Sequence, residues 1–494
     1  MDASDRTGCL HGTREDLLRS ITEWATNLSG EQRLFWLHGV AGCGKTTLAT
    51  TIANVFREQD RLGAFLFFDR DDAERNDPSL VIRTLAYQLG EADLRIGHAI
   101  SDAIEKNPGI IRSPLRFQFS KLLIQPLSSI EPPLGETTLV IVLDALDECG
   151  SPEQREQLLD IFSKESSMLP SSVRIFITSR AEPDITNALG SHTHIISHQL
   201  DITSASNHDD IFAFFQHSMT KVRTIRKHLF PEPDWPGNDT IHQLTARASG
   251  LIVWASTAVR FINGYDPKRR LDTVLKMDAS SAAESALDAL YITALNSVGT
   301  WDDPQFVEDF QSILGIILVA KNPLSSDTID KLSRMSGDVP SMHTISLLGS
   351  VLTQTPVVRI LHPSFADFLL DRTRCGNDAR FIDPSPHNLR LGIGCLNFLQ
   401  SRLQRNICGL TLTSAPVTER LPDDISYACT FWIDHICAST MNNATVEEPL
   451  EQFMFQHFLH WLEAMSLLKR SREAGGLLRQ LLGWTRVGNS SVWT

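Results

Sequence analysis

The 494-residue sequence has no apolar run long enough to cross a bilayer. Its longest, Ile313-Leu314-Gly315-Ile316-Ile317-Leu318-Val319-Ala320, falls far short of the ~20 residues that a spanning helix needs. Met1-Asp2-Ala3-Ser4-Asp5-Arg6 is acidic and polar, so no signal peptide is expected. A cytoplasmic protein without a membrane partner is expected. No C-x-x-C pair occurs among the eight cysteines (9, 43, 149, 375, 395, 408, 429, 437), which fits reduced thiols in the cytosol. Basic residues are in deficit, 45 Lys and Arg against 59 Asp and Glu, for a formal net charge of −14. A nucleic-acid surface as the main function is disfavoured by that balance. Internal repeats and low-complexity tracts are missing as well. The remaining composition, 42% hydrophobic and 21% charged, is that of an ordinary globular protein. The length suffices for about three domains with cores of their own.

Against this background one stretch stands out. Gly39-Val40-Ala41-Gly42-Cys43-Gly44-Lys45-Thr46 matches G-x-x-x-x-G-K-[ST], the phosphate-binding P-loop. The apolar Leu34-Phe35-Trp36-Leu37 before it reads as a short buried strand. Thr47 to Phe56 after it reads as a helix. Glycines let such a loop wrap a polyphosphate with its N–H groups inward, and the helix N-terminus adds partial positive charge. Lys45 would neutralise the β- and γ-phosphates, and Thr46 would offer its hydroxyl to Mg²⁺. Gly39, Gly42, Cys43, Gly44 and Thr47 complete the nucleotide-binding set, with the Cys43 thiol incidental to a loop that works through its backbone.

Further strands are expected at Gly63–Phe68, Thr138–Asp144, Val173–Thr178 and His194–Leu200. Thr138–Asp144 is apolar throughout, as a strand covered on both faces must be. Helical stretches separate all five, so a parallel, doubly wound sheet follows. Upstream, Thr13 is a candidate N-cap for a helix ending near Gly30. Asp77-Pro78 opens another, which Asn107-Pro108-Gly109 stops, and Pro132-Pro133-Leu134-Gly135 is a surface loop. Past Asp201 the pattern is helical, with a linker at Pro231 to Gly237 and a helix end at Gly264-Tyr265-Asp266-Pro267. A helix over Ile313–Ala320, another over Ser326–Met335 and a strand over Val357–Leu361 come next. Residues 385–484 read as amphipathic helices with Trp432, Trp461 and Trp484 in cores or interfaces.

A P-loop needs an acid to hold Mg²⁺, and Leu143-Asp144-Ala145-Leu146-Asp147-Glu148 places one at a strand end beside the loop. Asp144 is the metal-holding candidate. Asp147 or Glu148, Glu148 first, could orient the attacking water from a helix start, because phosphoryl transfer mainly needs positioning and charge neutralisation. The alternative for both is a solvated helix start. Arg180, in Thr178-Ser179-Arg180, ends the next strand. It could reach a γ-phosphate or pair with a neighbouring acid. Val319-Ala320-Lys321-Asn322-Pro323 is not a guanine-reading N-K-x-D motif, and none occurs elsewhere, so ATP or ADP is favoured over GTP. His192, His194 and His198 share parity and could present a metal site on one strand face, though no fourth ligand is visible.

The P-loop, the Asp144-Ala145-Leu146-Asp147-Glu148 run and Thr178-Ser179-Arg180 together resemble a NACHT-type NTPase of the signal-transducing STAND class. The nearest likeness is to the fungal set described as nephrocystin-like N-terminal domains. Gly12-Thr13-Arg14-Glu15 resembles the segment that contacts the adenine side in this class, which implies a nucleotide-binding role for Arg14. Ala248 to Ala255 is similar to the helical-domain segment, with Gly250-Leu251-Ile252 where many relatives have Gly-Leu-Pro. Leu361-His362-Pro363-Ser364-Phe365-Ala366-Asp367-Phe368-Leu369 looks like the winged-helix signature. By resemblance to animal NACHT receptors, His362 would contact the ADP β-phosphate in a closed state. Asp327, Asp330, Lys331 and Arg334 on the winged segment balance in charge, which suits intramolecular packing better than DNA.

The resemblance implies an α/β P-loop NTPase followed by helical, winged-helix and α-helical domains. Their expected bounds are 1–30 for an adenine-side segment, 31–203 for the NTPase core, 204–300 helical, 301–375 winged-helix-like and 376–494 helical. Relatives usually continue into sensing repeats, which are expected to be missing here. The implied function is a switch that binds ATP or ADP with Mg²⁺, hydrolyses ATP slowly and self-associates when ATP-bound. The alternatives are a plain ATPase with a mechanical or transport task, or a nucleotide-binding adaptor whose nucleotide is structural.

Overall fold

The computed structural model describes residues 7–130, 138–230, 234–277, 282–299, 301–333, 340–354, 356–376, 378–409, 421–439 and 444–487. The expected loop at Pro132 to Gly135, the start of the Pro231 linker and Arg334 lie outside them. The chain divides into two compact units, 1–290 and 291–494.

In the first unit, among the described residues, five strands form one parallel sheet. They are β1 (Leu34–His38), β2 (Leu62–Phe67), β3 (Leu139–Asp144), β4 (Val173–Ser179) and β5 (Ile195–Gln199). Their order is β2-β3-β4-β1-β5. Alternate residues serve two cores, because side chains leave a strand on opposite faces with period two. Leu34 and Trp36 join Ile141, Leu143, Ile175 and Ile177 on one face. Phe35 and Leu37 join Val140, Val142 and Phe176 on the other. Both layers are buried, which is why these strands read as largely apolar runs.

The helices of this unit are α1 (Glu15–Thr26), α2 (Lys45–Glu58), α3 (Val81–Ala92), α4 (Leu94–Lys106), the short α5 (Leu115–Phe119) and α6 (Gln125–Ser128), α7 (Pro152–Lys164), α8 (Pro183–Leu189), α9 (Ala205–Ile225), α10 (Asn238–Arg247), α11 (Ile252–Ile262) and α12 (Pro267–Leu275). Residues of α1 and α2 cover the Phe35 face, and α3, α4 and α7 contribute to the core on the Trp36 face.

Three local expectations are corrected. The acid-bearing strand does not lie beside the P-loop strand, because β4 is inserted between them. Thr13 does not cap α1: its hydroxyl donates to Leu10 O at 2.6 Å, and Arg14 is the N-cap residue in a left-handed conformation (φ 59°). That helix also ends at Thr26 rather than near Gly30, because Asn27 leaves the helical region at ψ 98°.

In the second unit α13 (Ala283–Asn296) begins within the first unit's range and α14 (Pro304–Val319) follows it. Next come α15 (Ser326–Ser333), α16 (Ser341–Leu347), an antiparallel pair β6 (Leu352–Thr353) and β7 (Arg359–Ile360), and α17 (Pro363–Leu370). The sequence pattern missed α16 and β6. The remaining elements are α18 (Arg372–Cys375), α19 (Pro384–Arg402), α20 (Asp423–Cys437), α21 (Ala444–Gln456), α22 (Phe458–Leu467) and α23 (Ser471–Val487). Trp432 and Trp461 are fully buried there, with rings 5.9 Å apart, and Trp484 Nε1 reaches Ser439 O. Among the described residues of the whole chain no helix is long and apolar enough to cross a membrane.

A buried arginine fastens α1 to the sheet. Arg174, on β4, is 0% exposed. Its guanidinium donates to Asn27 O and Trp24 O at the end of α1 and, at 2.7 and 3.1 Å, to Ser171 O and Val173 O. The two helix-end carbonyls otherwise accept only long bonds, Trp24 O from Asn27 N at 3.3 Å and Asn27 O from Gly30 N at 3.4 Å, so an outside cation completes them. Burial brings the Arg174 pKa down to about 10. Arg174→Met, which keeps the bulk but removes every donor, should cost about 3 kcal/mol. A thermal melt of the full chain measures it, and an unchanged midpoint would show those carbonyls to be satisfied by solvent.

Candidate functional site

β1 ends at His38, and the chain turns through Gly39 to Gly44 into α2. Gly42 (φ 76°) and Gly44 (φ 100°) occupy backbone that side chains strain to adopt. A Cβ on Gly39 would stand 3.0 Å from Cys43 Sγ and 3.2 Å from Leu200 Cβ. α2 begins at Lys45 with no side-chain cap, so its leading N–H groups open on the loop. Thr46 and Thr47 lie in its first turn. Lys45 Nζ spans the loop, donating to Gly39 O at 2.7 Å and Val40 O at 2.9 Å. Cys43 is buried, its sulfur 3.8 Å from that ammonium.

The acids stand at the end of β3, one strand beyond β4, so the two strand ends are roughly 10 Å apart. Asp144 is wholly buried. Thr178 Oγ1, from β4, donates to Asp144 Oδ1 at 2.5 Å and accepts from Ala145 N at 3.1 Å. The chain then passes through Ala145 in a left-handed conformation (φ 61°) into a 3₁₀ turn, Leu146–Glu148. The expected helix start at Asp147 and Glu148 is thereby corrected. α7 opens only at Pro152, where Ser151 and Gln154 form a reciprocal capping box. Asp147 is engaged by Arg180, whose backbone N donates to Oδ1 at 2.9 Å and whose Nε lies 3.3 Å from Oδ2. Arg155 props the turn from behind, donating to Asp147 O, to Gly150 O and to the Asp184 carboxylate.

Glu148 differs from its neighbours. It is half-buried, and its Oε2 accepts from Arg70 N at a long 3.4 Å. Desolvation raises its pKa to about 8 against Arg70, with Asp147 and Asp69 adding to the rise. A carboxyl poised near neutral pH suits proton transfer.

Arg14 meets the P-loop from outside. Its Nη2 donates to Cys43 O at 3.1 Å and to Asn207 Oδ1, and its Nε lies 3.4 Å from Asp210 Oδ2. His362 belongs to the second unit, where it caps α17: Nδ1 accepts from Ser364 N at 3.2 Å. The His192 and His194 rings lie 5.3 Å apart, but the three histidines form no ligand cluster. His194 Nε2 bonds Ser163 O at 2.8 Å, and the His198 ring packs beside Phe35. Among the described residues no group of three or more His, Cys, Asp or Glu could hold a metal.

Residues 12–180 match the family model described as nephrocystin 3, N-terminal. Those residues are a P-loop NTPase domain of the NACHT/STAND type. The chain is 25% identical over 486 residues to the vegetative incompatibility protein HET-E-1 of Podospora anserina, covering 91% of this chain and 34% of that protein. It thus spans about a third of that relative's length. A signal transduction ATPase with numerous domains and a tetratricopeptide repeat sensor, from Pyrococcus horikoshii, is similar at 11% identity and TM-score 0.47, over 98% of this chain and 60% of that one. A Walker-type ATPase of Pyrococcus abyssi is similar at 14% identity and TM-score 0.36, over 74% and 98%.

Sequence reasoning missed several groups that surround the candidate site. Arg70 and Asp69 lie just after β2, and a charged run at a strand end, Asp69-Arg70-Asp71-Asp72, was their available signal. The start of α7 was legible in Ser151-Pro152-Glu153-Gln154. Asn207 and Asp210 gave no signal, since a polar residue on a helix is ordinary.

The raised pKa of Glu148 has a testable consequence. The unfolded chain releases this proton near 4.5 and the folded domain near 8, so folding takes up a proton between those values. Stability from this group therefore falls as pH rises through that window. Glu148→Gln cannot ionise. Relative to wild type it should gain roughly 2 kcal/mol between pH 5 and pH 8, the full shift being discounted for partial exposure. Urea melts at the two pH values read the change, and a pH-independent difference would mean that the carboxyl titrates normally.

Proposed function

We propose that this protein is a nucleotide-dependent signalling switch that binds ATP or ADP with Mg²⁺ and hydrolyses ATP slowly to reset itself. Self-association in the ATP-bound form is the proposed output. The observation that carries the reading is the uncapped start of α2 behind a glycine-built loop, facing a buried carboxylate across β4. Asp144 and Thr46 are the metal-holding pair of the proposal. A carboxylate and a hydroxyl are hard oxygen donors, the chemistry that Mg²⁺ takes alongside phosphate oxygens. When bound, that ion would neutralise phosphate charge. Lys45 meets the phosphates with an ammonium already held over the loop. Glu148 is the proposed acceptor of the attacking water's proton in its ionised form, which a raised pKa makes a stronger base. Arg180 is held by Asp147, and the proposal assigns it contact with the γ-phosphate only through exchange of that pair.

Ligand that binds only the folded state stabilises it by ~2.7 kcal/mol at a hundredfold excess over Kd. Mg-ATP and Mg-ADP should each raise the thermal midpoint of wild type and leave Lys45→Ala unmoved. Equal shifts in both proteins would refute the site.

Turnover separates a switch from a plain ATPase. A switch releases phosphate slowly and keeps its product, so purified protein should carry ADP by mass spectrometry. Glu148→Gln should retain ATP and suppress phosphate release. Release at the wild-type rate would return Glu148 to a structural role.

A further inference from the structure

A P-loop binds anions through N–H groups, and each N–H is fixed by the carbonyl of its own peptide unit. In a trans peptide the two point in opposite directions. Holding Gly42 O therefore aims Cys43 N–H, and holding Cys43 O aims Gly44 N–H. Here both carbonyls are held by donors outside the loop. Val253 N, in the first turn of α11, donates to Gly42 O at 3.0 Å. Arg14 Nη2 donates to Cys43 O at 3.1 Å.

Arg14 is in turn held by a buried amide. Asn207 is 0% exposed on α9. Its Oδ1 accepts from Arg14, and its Nδ2 donates to Ile202 O at 2.7 Å and Gly250 O at 3.0 Å. All three side-chain positions that matter are thus occupied. The two carbonyls converge only because residue 250 is glycine: a Cβ there would stand 2.2 Å from Ile202 O, on backbone at φ 82°. Asp210 holds the other side of Arg14, its Oδ1 accepting Arg14 N at 3.1 Å. The strained φ of 59° at Arg14 persists because these bonds over-determine it.

We propose that Asn207 is a positioning residue for phosphate binding, acting through Arg14 on the P-loop carbonyl of Cys43. Arg14 then serves the phosphate loop from behind instead of contacting the base, and α9 and α11 set the shape of a loop they do not belong to. This inference rests on the nucleotide reading above.

The test is calorimetric binding of Mg-ADP and of inorganic Mg-tripolyphosphate to the full chain. Arg14→Ala and Asn207→Ala should each weaken both ligands, by about tenfold or more and by the same factor. Because the two act as one unit, the double variant should lose no more than the worse single one. A loss confined to ADP would place Arg14 on the base and overturn the proposal. So would additive losses, which independent structural roles produce. Binding that Lys45→Ala abolishes but neither variant alters would overturn it and leave the nucleotide reading standing. Wild type that binds neither ligand would overturn both. Circular dichroism melts accompany each variant. Should Asn207→Ala fail to fold, the ratio of ADP to tripolyphosphate losses in Arg14→Ala decides alone.

Discussion

The structure depends on a constraint that belongs to the peptide bond. A loop can turn its N–H groups on an anion only if the opposed carbonyls find donors elsewhere. In this domain those donors are drawn from four places: the loop's own lysine, the residue before α1, the first turn of α11 and the next turn of α2. The phosphate loop is therefore not a local motif sitting on a sheet. It is where the N-terminal segment, the sheet and the helices after β5 are bonded to one another.

The same need for donors explains the buried arginines. Arg174 serves the last carbonyls of α1, and Arg155 serves carbonyls of the turn after β3. Arg155 also pairs with Asp184, whereas Arg174 donates to the carbonyls of Trp24, Asn27, Ser171 and Val173. A guanidinium presents five donors in a fixed fork, so one side chain can quiet several backbone acceptors where chain direction changes. Lysine in those places would leave carbonyls unserved.

The sheet and the loop were legible because their physics is local. Strands buried on both faces must be apolar without interruption, and the glycines of a phosphate loop must fall at fixed spacing, so both survive in one dimension. Strand order does not, since nothing in Val173 to Ser179 says that it lies between the P-loop strand and the acid strand. The 3₁₀ turn at Leu146 to Glu148 was read as a helix because three residues carry no period, although Gly150 (φ 63°) and the Ser151 cap mark where the helix begins. Asn207 was invisible for a further reason. Its role lies in partners 193 and 43 residues away, Arg14 and Gly250, and a single amide on a helix carries no trace of them.

Strand order, the least legible feature, is what gives three neighbouring acids different characters. β3 lies between β4 and β2. From the β4 side come the Thr178 hydroxyl for Asp144 and the Arg180 backbone and guanidinium for Asp147. Glu148 meets the chain leaving β2, where Arg70 offers its positive charge and a long backbone bond, and Asp69 adds like charge. Desolvation raises the Glu148 pKa against the pull of the Arg70 charge. Moving β4 to the sheet's edge would strip Asp144 and Asp147 of those donors while leaving the sequence of the acids intact. Which donors meet each acid thus follows from the order of the strands, and the spacing of Asp144, Asp147 and Glu148 along the chain does not determine it.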